Sequence, residues 1–223
     1  MSKLVWDKVG ERFYETGVRN GALYVQDAKT GAYKTGVAWN GLISVSETPT
    51  GGESNPLYAD DIKYLDLVSV EELGGTIEAY TYPEEFGVCD GSAEIAPGVI
   101  AGQQGRLAFG LVYRTALGND TEYDGYGYKL HLIYGAKVTP SERGYSTISD
   151  SPEAITFSWE YTTTPVEVPG DGNRPTSLLT IDSTKVDEAK MKTFEEILFG
   201  AEGGEGGTPT LPLPEEVIAH FAE

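Results

Sequence analysis

Apolar and polar residues alternate along several segments of this 223-residue chain, and turn-forming residues separate those segments. In the segment 155–166, Ile155, Phe157, Trp159 and Tyr161 take every second position, so they share one face of an extended strand. A period of two predicts β-strands rather than helices. Further strands are predicted at residues 13–18, 23–26, 36–46, 62–70, 76–82, 107–115, 128–139 and 178–181, with Asn20 and Gly21 as a hairpin turn.

A stretch rich in proline and glycine lies between two of these strands. Residues 47–61 include Pro49, Gly51, Gly52 and Pro56. Such residues favour turns, so the stretch is predicted to be one long inter-strand loop. It is longer than an ordinary hairpin connection, and loops of this length are often functional.

One α-helix is predicted between residues 184 and 200. Thr184 is its predicted N-cap, Asp187 occupies the capping-box position, and Gly200 is the expected stop. A helical turn is also predicted at residues 83–86, with Pro83 first and Gly87 ending it. The fold class is therefore mainly β, with two sheets and one flanking helix. The apolar side of that helix consists of Val186, Ala189, Phe194, Ile197 and Leu198.

The composition changes after Gly200. Residues 1–200 are predicted to form a single β domain, and residues 201–223 to form a flexible, glycine-rich linker followed by a C-terminal arm. The arm contains a short predicted helix that starts at Pro214. So short a helix is not stable alone in water. Its apolar residues Val217, Ile218 and Phe221 are therefore expected to dock, either on their own domain or on a neighbour.

The charge of the chain excludes several kinds of partner. The formal net charge is −19, from 35 acidic and 16 basic residues. Tight binding to nucleic acid depends on lysine and arginine at the phosphates, and anionic membranes attract the same residues. Neither kind of partner fits, and no apolar run is long enough to span a bilayer. A single cysteine, Cys89, excludes a disulfide-stabilised scaffold.

No familiar catalytic, cofactor-binding or metal-binding pattern occurs in the sequence. His131 and His220 do not combine with Cys89 at a metal-ligand spacing, and residues 120–131 lack the final glutamate of a calcium loop. The prediction is a protein that is not an enzyme and has no cofactor. Two explanations of the strand aromatics stay open, a packed core or a sugar-stacking platform: Trp39, Tyr64, Tyr113, Tyr134, Trp159 and Tyr161.

Seven segments, taken in order, resemble the major tail protein of long-tailed phages that infect Gram-positive bacteria. The resemblance covers nearly the whole chain and depends on the combination of segments rather than on any catalytic motif. The segments are GVAWNGL (36–42), PLYADDIKYL (56–65), TIEAYTYPEEF (76–86), CDGSAE (89–94), GYKLHLIYG (127–135), SPEAITFSWE (151–160) and LPLPEEVI (211–218).

This resemblance implies a tail-tube β-sandwich or barrel that forms hexameric rings with copies of itself. The rings would stack into a conduit through which DNA passes without specific binding. It further implies a structural virion protein made in the host cytoplasm, with tail-tip, tape-measure and tail-terminator proteins as partners and no cofactor or membrane. Successive rings would be bridged by the terminal arms and by the long loop, including Pro49, Gly51, Gly52, Pro56 and Tyr58.

A negative inner wall would repel DNA over about 8 Å at physiological salt, so that DNA slides without adsorbing. Asp66 and Glu78 lie within predicted strands and are the candidates to face this lumen. They could instead face outer solvent or pair with Lys63 or Arg114. The alternative functions that remain open are a carbohydrate-binding β-sandwich, a glycosidase with paired carboxylates, and the inner tube of a contractile tail or a secretion system.

Overall fold

The computed structural model describes residues 3–148, 150, 153–203 and 207–222. It is 44% strand and 13% helix, which confirms the mainly β prediction. The helical elements are a 3-10 turn (Glu84–Phe86), α1 (Gly87–Asp90), α2 (Glu188–Phe199) and α3 (Pro214–Ala222). The strands are β1 (Tyr14–Val25), β2 (Val37–Trp39), β3 (Leu42–Thr50), β4 (Ser54–Ala59), β5 (Ile62–Val68), β6 (Glu72–Ala79), β7 (Ala93–Ala96), β8 (Val99–Ala101), β9 (Phe109–Asn119), β10 (Tyr123–Val138), β11 (Phe157–Thr163) and β12 (Leu178–Asp182).

The main sheet is antiparallel and curls until its two ends approach each other. Its strand order is β2-β1-β9-β10-β11-β6-β3, with β12 also paired to β10. Only Asn40 and Gly41 separate β2 from β3 along the chain, although β2 and β3 are the first and last strands in the order of the sheet. The long strand β10 changes partner from β12 to β11 around Gly135, whose φ of 59° suits glycine.

Two apolar cores lie on the two faces of β9 and β10. The first fills the inside of the curled sheet, where Trp159 packs against Phe86 with ring centroids 5.1 Å apart. The second lies between the sheet and the helices, where Leu130 and Leu132 contact the side of α2 that carries Phe194. Both cores depend on strand alternation, because successive side chains of one strand point to opposite faces and so enter different cores.

The predicted hairpin at Asn20 and Gly21 is wrong. Residues 14–25 form one strand, β1, and both of its halves pair with β9. The pairing register shifts between Thr16 and Arg19 and again between Arg19 and Ala22, and Asn20 has a φ of 55°. Asn-Gly often forms a hairpin turn. In this chain it lies among bulges instead, because β9 continues opposite both halves of β1.

The predicted loop at residues 47–61 is also wrong. Residues 47–50 extend β3, and β4 and β5 form an antiparallel hairpin that closes at Asp60 and Asp61. Both aspartates have positive φ angles, 52° and 62°. A tight two-residue turn needs such angles to match the right-handed twist of the two strands that it joins. Together β4 and β5 continue the β3–β6 pairing outward, and this projecting hairpin, residues 54–68, is called the arm below.

The main helix begins three residues later than its predicted cap. Asp187 is the N-cap, and its carboxylate accepts hydrogen bonds from the backbone N–H groups of Ala189 and Lys190. Thr184 instead donates its hydroxyl to Asp182 in the preceding turn. The predicted stop at Gly200 is confirmed. The short helical turn at residues 83–86 runs on through α1 and ends at Gly91 rather than at Gly87.

The C-terminal helix docks on its own chain. Leu211 and Val217 are each 4% exposed in the second core, and Phe221 packs 5.1 Å from Phe194 between ring centroids. Tyr134 fixes the approach to α3 by donating its hydroxyl to the carbonyl of Pro212. Of the three residues predicted to dock, Val217 and Phe221 do so, whereas Ile218 is 39% exposed. Part of the predicted flexible linker, residues 204–206, lies outside the described residues.

We expect Val217→Asp to lower the free energy of unfolding by about 2–4 kcal/mol, because it removes buried apolar contacts and places a carboxylate among Leu211 and Phe194. Ile218→Asp, one residue further along α3, should change it by less than about 0.5 kcal/mol. Urea unfolding of the two variants checks this. Equal losses in both would show that α3 is not held by the second core.

Candidate assembly surfaces

One outer face of the curled sheet carries hydroxyl and carboxylate side chains. On β3, β6 and β11 the residues that alternate with the first core point outward, and the pairing register aligns them across the three strands. No lysine or arginine lies in these rows, which we call the hydroxyl face. The rows are Ser44–Glu78–Ser158, Ser46–Thr76–Glu160 and Thr48–Gly74–Thr162.

Glu78 lies in the first row of this face, and the hydroxyl of Ser44 donates a hydrogen bond to it at 2.8 Å. Glu160 in the next row is exposed. Lys137 of β10 borders the face, because it pairs in register with Thr162. Glu78 is therefore half-buried on the outward face of the sheet, and its orientation toward a lumen stays a prediction.

Asp66 does not lie beside Glu78. It belongs to β5 in the arm, where the ammonium of Lys63 and the hydroxyl of Ser54 both donate to its carboxylate. The Lys63 donor first, and then the Ser54 donor, hold the pKa of Asp66 below its usual value. The pairing with Lys63, one of the alternatives left open above, is thus the arrangement that the structure has.

The arm exposes apolar side chains on both of its faces. Leu57 pairs opposite Leu65 on one face, and Leu67 follows on the same side. These three leucines are 43%, 47% and 50% exposed, and they belong to neither core of the described residues. The remaining exposed apolar residues of the arm are Tyr58, Ile62, Tyr64 and Val68.

The residues predicted to bridge rings are spread along this projecting structure. Pro49 lies at the end of β3, an edge strand, where its missing N–H costs no sheet hydrogen bond. Gly51 has a φ of 82°, and a Cβ there would lie 2.1 Å from the Val70 carbonyl oxygen. Gly52 follows in the same bend, and Pro56 and Tyr58 belong to β4.

The N-terminal segment also presents uncovered apolar residues. Leu4, Trp6 and Val9 are between 71% and 78% exposed. Asp120 anchors the end of this segment by accepting a hydrogen bond from the Gly10 N–H at 2.9 Å. The described N-terminal residues therefore form a second apolar surface that is attached to the domain but is not packed on it.

Polar groups surround the half-buried His131 at one edge of the first core. His131 of β10 stacks on Tyr113 with ring centroids 4.7 Å apart. The Thr115 hydroxyl donates a hydrogen bond to Glu15, so its oxygen acts as an acceptor toward His131. We therefore assign the ring proton of His131 to Nε2, which lies 3.0 Å from that oxygen. Nδ1 is then an unprotonated nitrogen that faces Glu47 at 3.6 Å and has no hydrogen-bond partner.

Burial lowers the pKa of His131 below its ordinary value, although Glu47 and Glu15 act in the opposite direction and Lys129 reinforces the lowering. The folded chain therefore binds this proton more weakly than the unfolded chain. It follows that the histidine costs no stability above the unfolded pKa of about 6.5 and destabilises the fold as the pH falls below it.

We accordingly expect wild-type protein to lose more unfolding free energy between pH 7 and pH 5 than His131→Phe, which keeps a ring on Tyr113 and cannot be protonated. Urea unfolding at pH 7, 6 and 5 measures both slopes. Parallel slopes for the two proteins would contradict the assignment of a destabilising proton to this site.

The predicted aromatic set divides clearly. Trp39, Tyr113, Tyr134, Trp159 and Tyr161 are at most 3% exposed, so they are core residues and offer no stacking platform. Tyr64, in the arm, is 73% exposed.

Among the described residues, no three histidine, cysteine or acidic side chains converge as metal ligands. No helix in the described ranges has the length and apolarity needed to cross a bilayer.

No family model matches this sequence, and a search of curated proteins finds no significant relative. The hydroxyl face and the arm were both missed by sequence reasoning. Signals for both were present: Ser44, Ser46, Thr48 and Thr50 alternate along one strand, and Asp60 and Asp61 separate two apolar segments.

Proposed function

We propose that this chain is a structural protein of a phage tail, which assembles with copies of itself into stacked rings that form the tail tube. The observation that carries the proposal is the arm, whose leucine face and tyrosines are uncovered in the single chain. Uncovered apolar surface of this kind marks a contact with another protein. An isolated two-stranded hairpin is also only marginally stable in water, so the arm needs a partner to hold it.

The hydroxyl face supplies the second part of the proposal, a wall for the channel. Its Ser, Thr and Glu side chains offer water-binding groups and negative charge, and its three rows contain no cation, although Lys137 borders the third row. DNA near such a wall would be repelled within about a Debye length, roughly 8 Å at physiological salt. The resemblance to phage major tail proteins agrees with both surfaces.

Sedimentation velocity over a range of concentrations tests the self-assembly. We expect the chain to convert from monomer to large species above a critical concentration near 0.15 M salt, where ions screen the repulsion between copies of charge −19. Negative-stain images of those species should show open-ended tubes. A chain that stays monomeric at every concentration and salt, also with the tail components of its own virion present, would overturn the proposal.

The wall is tested separately by reversing its charge. Tubes of the Glu78→Lys/Glu160→Lys variant should retain short duplex DNA at physiological salt, whereas wild-type tubes should not, because lysines in the channel bind phosphates. Tubes of Glu167→Lys/Glu202→Lys carry the same change in charge outside the hydroxyl face and should behave as wild type. Co-sedimentation of labelled DNA measures retention, and equal retention in the two variants would remove the hydroxyl face from the lumen.

A further inference from the structure

The arm and an unoccupied groove lie at opposite ends of the same strand. β3 begins at Leu42 and ends at Thr50, eight residues or about 27 Å away, and the arm extends beyond Thr50. Asn40, Gly41 and Leu42, at the other end, line a groove of about 420 Å³ between β1, β2 and the end of α2. Copies that point the same way would therefore bring the arm of one toward the groove of the next.

The groove has the chemistry to receive the tip of the arm. Val18, Leu42 and Phe199 provide apolar walls, and Arg19 is its one charged lining residue. Arg19 is exposed, and no carboxylate of the described residues lies within 4 Å of it. Its guanidinium is therefore open to solvent beside the apolar walls and can pair with an anion from another chain.

The tip of the arm supplies that anion together with apolar side chains. Asp60 and Asp61 form the turn, and neither takes part in an ion pair of the described residues. Tyr58 and Ile62, which flank them, are 71% and 65% exposed. The tip thus presents two carboxylates between two apolar groups, and the groove presents one guanidinium between apolar walls.

We propose that the arm tip of one copy docks in this groove of the next copy, with Asp60 and Asp61 pairing with Arg19. This inference rests on the proposed tube function and specifies the contact by which one subunit follows another. Donor and receptor are different surfaces at opposite ends of β3. The contact is therefore heterologous and leaves a free arm and a free groove at the two ends of every stack. Such a contact allows growth without limit along one direction.

Charge reversal tests the pairing. Arg19→Glu should raise the critical concentration for assembly by at least about tenfold, because it places like charges together. Asp60→Lys/Asp61→Lys should do the same, and combining all three changes in one chain should restore assembly. Asp60→Asn/Asp61→Asn removes the charges but keeps residues that tolerate a positive φ, which separates charge from turn geometry. Lys29→Glu makes the same change of charge outside the groove and is the control for Arg19→Glu.

Cross-linking tests the contact without depending on the folding of the lysine variants. Asn40→Cys chains and Asp61→Cys chains, mixed and assembled, should form a mixed disulfide dimer on oxidation. Cys89 should not interfere, because it is buried and desolvation raises its pKa to about 12. Tubes that form normally with Arg19→Glu, or that give no mixed dimer, would overturn this docking and leave the tube function standing. A wild-type chain that never assembles would overturn both.

Discussion

Replacing the arm, residues 54–68, by a short Gly-Ser turn should abolish assembly and leave the domain folded. The arm continues outward from β3 and β6, and its side chains belong to neither core. Removing it therefore takes nothing from the packing of the domain. If the arm connects neighbouring copies, its loss removes that connection entirely.

A milder variant shows which face of the arm is responsible. Leu57→Ser/Leu65→Ser removes two leucines that lie opposite each other on one face. If both are buried in the assembly, the loss is roughly 2–4 kcal/mol per contact, or about 30- to 1,000-fold in critical concentration.

The control for the leucine variant is Tyr123→Ser, at a turn outside the arm, where the side chain is 73% exposed. Sedimentation at several concentrations gives the critical values, and thermal melts confirm that each monomer folds. Unchanged assembly without the arm would remove the main support for the proposed function.

The largest loss of stability is expected for Trp159→Ala, at about 3–5 kcal/mol. Trp159 is 1% exposed and lies at the centre of an aromatic cluster, 5.1 Å from Phe86 and 5.8 Å from Trp39 between ring centroids. Neighbouring strands hold these rings in place, so the cavity cannot close easily. A domain of this size is typically stable by about 5–15 kcal/mol, so the variant should be only marginally folded.

Glu160→Ala is the matched control, since Glu160 is the next residue of β11 and points to the opposite, exposed face. Its free energy of unfolding should stay within about 0.5 kcal/mol of wild type. Urea unfolding at neutral pH measures both variants. Similar losses in the two would contradict the alternation on which the first core and the hydroxyl face both depend.

Strands with a long, regular alternation could be predicted from sequence. Residues 107–115, 128–139 and 155–166 correspond to β9, β10 and β11 within a few residues at each end. In each strand at least one face is buried, so the apolar positions recur often enough to predict a strand. The main helix was predicted for the same reason, although Asp187 rather than Thr184 caps it.

The features that failed depend on partners distant in sequence. Asn20 and Gly21 make a bulge rather than a turn only because β9 pairs with both sides of them. Pro49, Gly51 and Pro56 resemble loop residues, but edge strands and a sharp bend also accept them. The hydroxyl face needs the register between β3, β6 and β11, which no local pattern determines.

Electron cryomicroscopy of concentrated protein near 0.15 M salt would show whether copies of this chain form a hollow tube lined by the hydroxyl face. We expect open tubes in which Glu78 and Glu160 point into the channel and each arm contacts the following subunit. Tubes with β3, β6 and β11 turned to the outside would contradict it, as would solid particles or single subunits at every concentration.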